Sequence, residues 1–229
     1  MIEMTKLETL NARCALRIHA ATFAKEARSV GIVAAETQSN AGVLAREIAV
    51  ITAGFGRKVM LINARETSDS GVQGKTAAEF VSNAVVGIEG ILEVRILRGS
   101  EAHRALNEGR QLTALLADLA ELVDAVVFDL PAHDEAMPAI YAPIAAAALD
   151  AVLLVTLPTV TTNLKLEETI SWLSESGASI LAIIANDRFN PTLGEEIVRE
   201  AKRLRKLMPF LPGFAARQVA KFSALNRHH

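Results

Sequence analysis

The sequence predicts an α/β fold, doubly wound, with a mostly parallel sheet carrying helices on both faces, and three observations lead there. Short β-branched runs recur along the chain and are apolar throughout instead of alternating, as strands covered on both faces require. Helical stretches separate them, and right-handed crossovers between parallel strands place such helices on both sides of the sheet. The 229 residues are 51% hydrophobic and 22% charged, enough for one generous core, so a single domain over 1–229 is expected.

The elements follow in order. An amphipathic helix within residues 1–28, spanning roughly 5 to 26, places Leu7, Leu10, Cys14, Ala15 and Ile18 on one side at spacings of three and four. Three strands of the buried kind are "SVGIVAAE" at 29–36, "KVMLIN" at 58–63 and "DAVVFDLP" at 124–131. Two more are "DAVLLVTLP" at 150–158 and "SILAIIAN" at 179–186, and "EVRILRG" at 93–99 is a weaker one. Helices are expected at 41–55, 76–86, 102–122, 163–176 and 193–207. Ligands of such sheets bind at the carboxyl ends of the strands.

Composition narrows the function classes. The lone Cys14 forms no internal disulfide, and the apolar windows are broken by Pro138, Pro143, Asp150 and Pro158, short of the roughly 20 clean residues a bilayer span needs. With no secretory leader pattern at its start, the chain is expected in the cytoplasm. The net charge of −2 hides a basic, amphipathic segment at 199–229, which carries +7 against −9 for the rest. There Arg203, Lys206, Phe210, Phe214 and Lys221 mix cations with apolar side chains, and Pro209 and Pro212 divide the segment in two. It would pack as the last helix, lie peripherally on an anionic membrane surface, or dock on a partner's cytoplasmic tails. Nucleic acid is not an expected partner, because no stacking platform, helix-turn-helix or zinc pattern accompanies the charge. His19, His103 and His133 stand at no metal-site spacing, so no metal centre is expected. His133 with Asp134 and Glu135, just past a strand end, forms a second polar candidate.

The chemistry should sit where "AAETQSNAGVLAREIA", residues 34–49, leads from the first strand into a helix. Taken with "GRKVMLIN", "VVFDLP" and "IIANDRF", the order of elements over about residues 5–190 resembles the cytoplasmic domain of bacterial tyrosine kinases, within the ParA/MinD class of P-loop ATPases. The resemblance implies a phosphate loop P-G-E-G-K-[ST] at Thr37, Gln38, Ser39, Asn40, Ala41 and Gly42. Here Gln38 and Asn40 replace glycines, Ala41 the lysine and Gly42 the hydroxyl residue, so backbone cradle, β/γ-charge neutralisation and magnesium ligation are each weakened or lost. The acidic strand end I-D-A-D appears as Ile62-Asn63-Ala64-Arg65, with both carboxylates gone.

Asp129 matches the family's third carboxylate but, without its partners, reads first as an ordinary cap on the following loop; Asn186 matches the class's adenine reader or equally is a turn residue. "GVQGKTAAEF" holds Gly74-Lys75-Thr76 but has Asp69 where the pattern wants glycine, so it reads as a turn opening a helix. The family's tyrosine-rich tail is missing, since the only tyrosine is Tyr141, and Glu8, Arg13 and Arg17 do not keep its ring-building E-x-x-R-x-x-R spacing. A homo-oligomer therefore stays an open expectation. The reading is a pseudokinase: a non-catalytic cytoplasmic adaptor of exopolysaccharide or capsule biosynthesis and export, acting with a membrane co-polymerase and holding no cofactor beyond weak ATP, ADP or anion binding at the helix N-terminus. Its rival is an active ATPase or tyrosine kinase with an unconventional loop, in which Lys75, Lys58 or a neighbour's arginine supplies the missing cation.

Overall fold

The computed structural model describes residues 13–136, 138–158 and 160–186. Two compact units divide the chain, Met1–Thr156 with Asn163–Ile184, and Leu157–Thr162 with Ala185–His229. The first holds the sheet. Its strands are β1 (Ser29–Ala34), β2 (Val59–Ser68), β3 (Val85–Val86), β4 (Leu92–Leu97), β5 (Ala125–Asp129), β6 (Ala151–Thr156) and β7 (Ile180–Ala185), in the spatial order β3-β4-β2-β5-β1-β6-β7. β1 pairs in parallel with β5 and β6, and β2 with β4 and β5, while β3 alone among the recorded pairings runs antiparallel, against β4.

Strict alternation of side chains distributes each central strand between two cores. Val30, Ile32 and Ala34 of β1, Val59 and Leu61 of β2, and Ala125 and Val127 of β5 face one cluster. Val33, Met60, Ile62, Val126 and Phe128 face the other. The first cluster is closed by α1, whose described part is residues 13–21, and by α2 (Ala41–Gly54), which buries Ala41, Leu44, Ala45, Ile48, Ala49 and Thr52 at helical spacing. The second is closed by α3 (Ala77–Ser82), α4 (Glu101–Leu106), α5 (Gly109–Leu119), α6 (Ala142–Ala147) and α7 (Asn163–Ser174). The expected doubly wound layering is present.

Several boundaries differ from expectation. The helix expected at 76–86 is only α3, opened by a capping box in which Thr76 accepts from the Glu79 amide and Glu79 reaches back. It stops at Asn83, and Val85–Val86 pair with β4 instead. The helix expected at 102–122 is two helices, because Glu108 is extended (φ −125°, ψ 110°) after the cap residue Asn107, whose Nδ2 donates to the His103 carbonyl and whose Oδ1 accepts from the Tyr141 amide at 2.7 Å. α6 forms inside the apolar window that Pro143 interrupts, because that proline sits in its first turn, where a missing N–H costs nothing. Residues 193–207 lie outside the described residues, as do Arg203, Lys206, Phe210, Phe214 and Lys221. Among the described residues no helix is long and apolar enough to cross a membrane.

Candidate functional site

β1 ends at Ala34 at the carboxyl edge of the sheet, and the loop from there to α2 is a single 3-10 turn, Thr37–Ser39. Asn40 follows in the left-handed region at φ 54°, ψ 34°, a conformation glycine takes freely and asparagine tolerates best among residues with a side chain. The loop therefore keeps a glycine-like turn at Asn40. The Asn40 side chain makes no capping bond, while its carbonyl takes the Val43 amide at 3.0 Å, and the helix keeps its positive end.

Gly42 is held small by its neighbour. A Cβ there would lie 2.6 Å from Asp129 Oδ2, so any side chain at this position would have to displace the carboxylate at the end of β5. Asp129 is 8% exposed and its Oδ1 has no hydrogen-bond partner. Burial raises its pKa to about 6, Arg65 pulls the other way, and Glu135 and Glu66 add to the rise.

Arg65 reaches the loop through a distortion of β2. Pairing with β4 runs to Asn63–Arg95 and resumes only at Thr67–Ile96, so Ala64, Arg65 and Glu66 are bulged out. From the bulge the Arg65 guanidinium donates to the Thr37 carbonyl at 2.6 Å and lies 3.6 Å from Glu135 Oε2. The Thr37 amide and hydroxyl both donate to Asp134 Oδ1, at 2.8 and 2.7 Å. A turn after β5 thus meets the loop after β1, and the second polar candidate lies at the first.

A cavity of about 400 Å³ opens beside this cluster, lined by Asn40, Gly42, Asn63, Arg65, Arg95 and Asp129 among others. A second, of about 420 Å³, shares Arg65 and is bordered by Arg98, His103 and Glu135. Over the first, Arg46 of α2 grips Glu93 of β4 through both guanidinium nitrogens. Asn63 lines the first cavity, and its Oδ1 accepts from the Arg65 amide. Gln38 and Ser39 lie in the 3-10 turn and Ala41 opens α2, so all five predicted loop positions fall together with Asn63 and Asp129. Asn186 is the last described residue and belongs to the second unit.

Neither lysine proposed as a substitute cation borders the loop cavity. Lys58 precedes β2 at the opposite edge of the sheet, with its amide on Asp124, and Lys75 precedes the cap of α3. Sequence reasoning also missed the aromatic brace behind the turn: His133 Nδ1 bonds Thr169 Oγ1 at 2.9 Å and its ring lies 4.7 Å from that of Trp172, which donates to the Tyr141 hydroxyl. Burial, helped by Lys165, lowers the His133 pKa and keeps the imidazole neutral. Only the position of His133 past a strand end hinted at this role.

With this geometry in hand, the chain was compared with known proteins. No protein-family model matches the sequence, and no curated protein sequence does. Solved structures match the fold. The VpsO kinase domain is similar with a TM-score of 0.64 at 19% identity, covering 81% of this chain and 98% of that domain. The kinase domain of the Escherichia coli tyrosine kinase ETK gives 0.56 at 17% identity, over 75% and 72%. The cell division protein MinD of Aquifex aeolicus gives 0.55 at 16% identity, over 87% and 92%. The fold is therefore α/β and doubly wound. Within it, the chain is similar to the bacterial tyrosine kinase domains and to MinD.

Proposed function

We propose that this protein is a non-catalytic relative of the bacterial tyrosine kinase domains, a cytoplasmic adaptor or regulator of exopolysaccharide or capsule assembly that works by docking on a membrane co-polymerase. One observation carries the non-catalytic part: α2 opens on Ala41 and Gly42, so no hydroxyl stands beside the Asp129 carboxylate to bind magnesium. The residues around it fit a magnesium-bound triphosphate no better. Ala41 brings no ammonium group, and Arg65 stands where a metal-organising carboxylate is needed. Phosphoryl transfer rests on positioning and on neutralising developing charge, and this loop supplies neither. The complete sheet and the backbone turn at Asn40 favour a retained binding frame over a decayed one. The pathway and partner rest on the likeness to the kinases.

Isothermal titration of the full chain with ATP and magnesium tests the reading. No binding heat below millimolar concentration and no phosphate release are expected; micromolar affinity with turnover would overturn it. Co-purification with a membrane-embedded co-polymerase, if one is encoded beside this chain, tests the partner.

A further inference from the structure

The outer side of α1 is apolar and cationic. Its described part, residues 13–21, turns Ala15 and Ile18 into the core, and the positions left in water are Arg13, Leu16, Arg17, Ala20 and Ala21. Leu16 is 46% exposed. The solvent side of a surface helix normally carries charges of both signs and uncharged polar groups. Here it holds only arginine and apolar side chains.

The turn after α2 continues this surface at the amino edge of the sheet. Phe55 follows α2 as its C-cap, stacks one ring face on His19 of α1 at 4.4 Å and 6° between planes, and stays 61% exposed. His19 is itself fixed, with Nδ1 bonded to Thr52 Oγ1 at 3.1 Å. Burial, and then the Arg57 guanidinium, lower the His19 pKa, so Arg57 stands beside the stack. Over residues 13–26 and 54–58, Arg13, Arg17, Lys25, Arg57 and Lys58 meet Glu26 as the only carboxylate. Among the described residues none of these cations is in an ion pair.

The combination selects the partner. One that reads charge alone would gain nothing from Phe55 and Leu16, and a peptide docking through apolar anchors needs a groove, whereas this is the outer side of a helix and a turn. A layer of anionic headgroups answers both features at once, with negative charge for the arginines and an apolar boundary for the ring and the leucine. We propose that the outer side of α1 and the turn at 55–58 form a surface that rests on an anionic lipid bilayer. The inference goes beyond the adaptor reading and uses nothing of the loop before α2. It assigns the contact to the unit that holds the sheet, and not to the basic segment 199–229.

The full chain is sedimented with vesicles of phosphatidylcholine alone and of phosphatidylcholine with phosphatidylserine. Wild type is compared with Arg13→Gln/Arg17→Gln and with Phe55→Ser, each checked for native melting by circular dichroism. Wild type is expected to sediment with the anionic vesicles only, and less as salt rises. A cation near the headgroups contributes about fivefold to partitioning, so the arginine pair should lower the partition coefficient by about tenfold or more. Phe55→Ser should lower it by about threefold or more. Where Phe55→Ser melts early through loss of the His19 stack, the arginine pair, which leaves the stack in place, carries the test. A wild type that ignores anionic vesicles overturns the proposal. So does an arginine-pair variant that sediments as wild type does: lipid binding would then belong to 199–229, or, where light scattering shows self-association lost in that variant, this face would be a contact between copies.

Discussion

Replacing Asp129 by Asn should stabilise the protein, and only above the acid range. The side chain is 8% exposed, its Oδ1 lacks a partner, and burial moves its pKa from 3.8 to about 6. In the unfolded chain the carboxyl ionises near 3.8, whereas in the folded chain it holds its proton to about 6. Folding therefore binds a proton between those values, and stability falls as pH rises from about 4 to about 6, then stays low. At about 1.4 kcal/mol per pH unit, the interval from 3.8 to about 6 is worth about 3 kcal/mol. Asparagine has no charge to desolvate at any pH, so the stability difference between variant and wild type should grow by that amount across the window. Urea unfolding followed by circular dichroism at pH 4, 5, 6 and 7 reads it as a midpoint difference widening by about 1 M. A difference that is the same at pH 4 and pH 7 would refute the reasoning, because Asp129 would then be ionised at its ordinary pH in the fold.

Arg65→Gln removes the donor to the Thr37 carbonyl and the cation that restrains Asp129, so the loop should loosen and the Asp129 pKa climb further above 6. Hydrogen exchange of a peptide covering 34–44 should quicken, and unchanged protection would show that Arg65 does not hold the loop. Asn40→Val, at φ 54°, should cost about 1–2 kcal/mol in thermal or urea unfolding while Asn40→Gly stays near neutral, and equal losses would deny the backbone argument. Asp150→Ala strips one acceptor from three donors, the amides of Arg28 and Ser29 and the Ser29 hydroxyl, and should cost about 2–3 kcal/mol; a loss below about 0.5 kcal/mol would mean that water replaces it.

What the sequence made legible was set by local pattern. The uniformly apolar runs around Val30, Met60, Val126 and Leu153 could belong only to strands covered on both faces, and strand–helix alternation then dictated the layering. Val85–Val86 was invisible because two exposed valines carry no period. The break after Asn107 is tied down by an amide 34 residues away on Tyr141, which no helix-length window contains.

The site divides in the same way. That Ala41 is no lysine and Arg65 no carboxylate is plain in the letters, but what Arg65 holds is not. Its grip on Thr37 depends on a three-residue bulge in β2, and the letters from Asn63 to Thr67 give no sign of where pairing resumes. Asp134 was reached by a topological rule, that polar residues past a strand's carboxyl end gather at the working edge. That rule names no partner, and the bond from Thr37 to Asp134 spans 97 positions. With Thr37 bound to Asp134 and to Arg65, and Arg65 beside Glu135, these side chains satisfy one another across two loops, and the network fixes the loop after β1 through contacts that no local window contains.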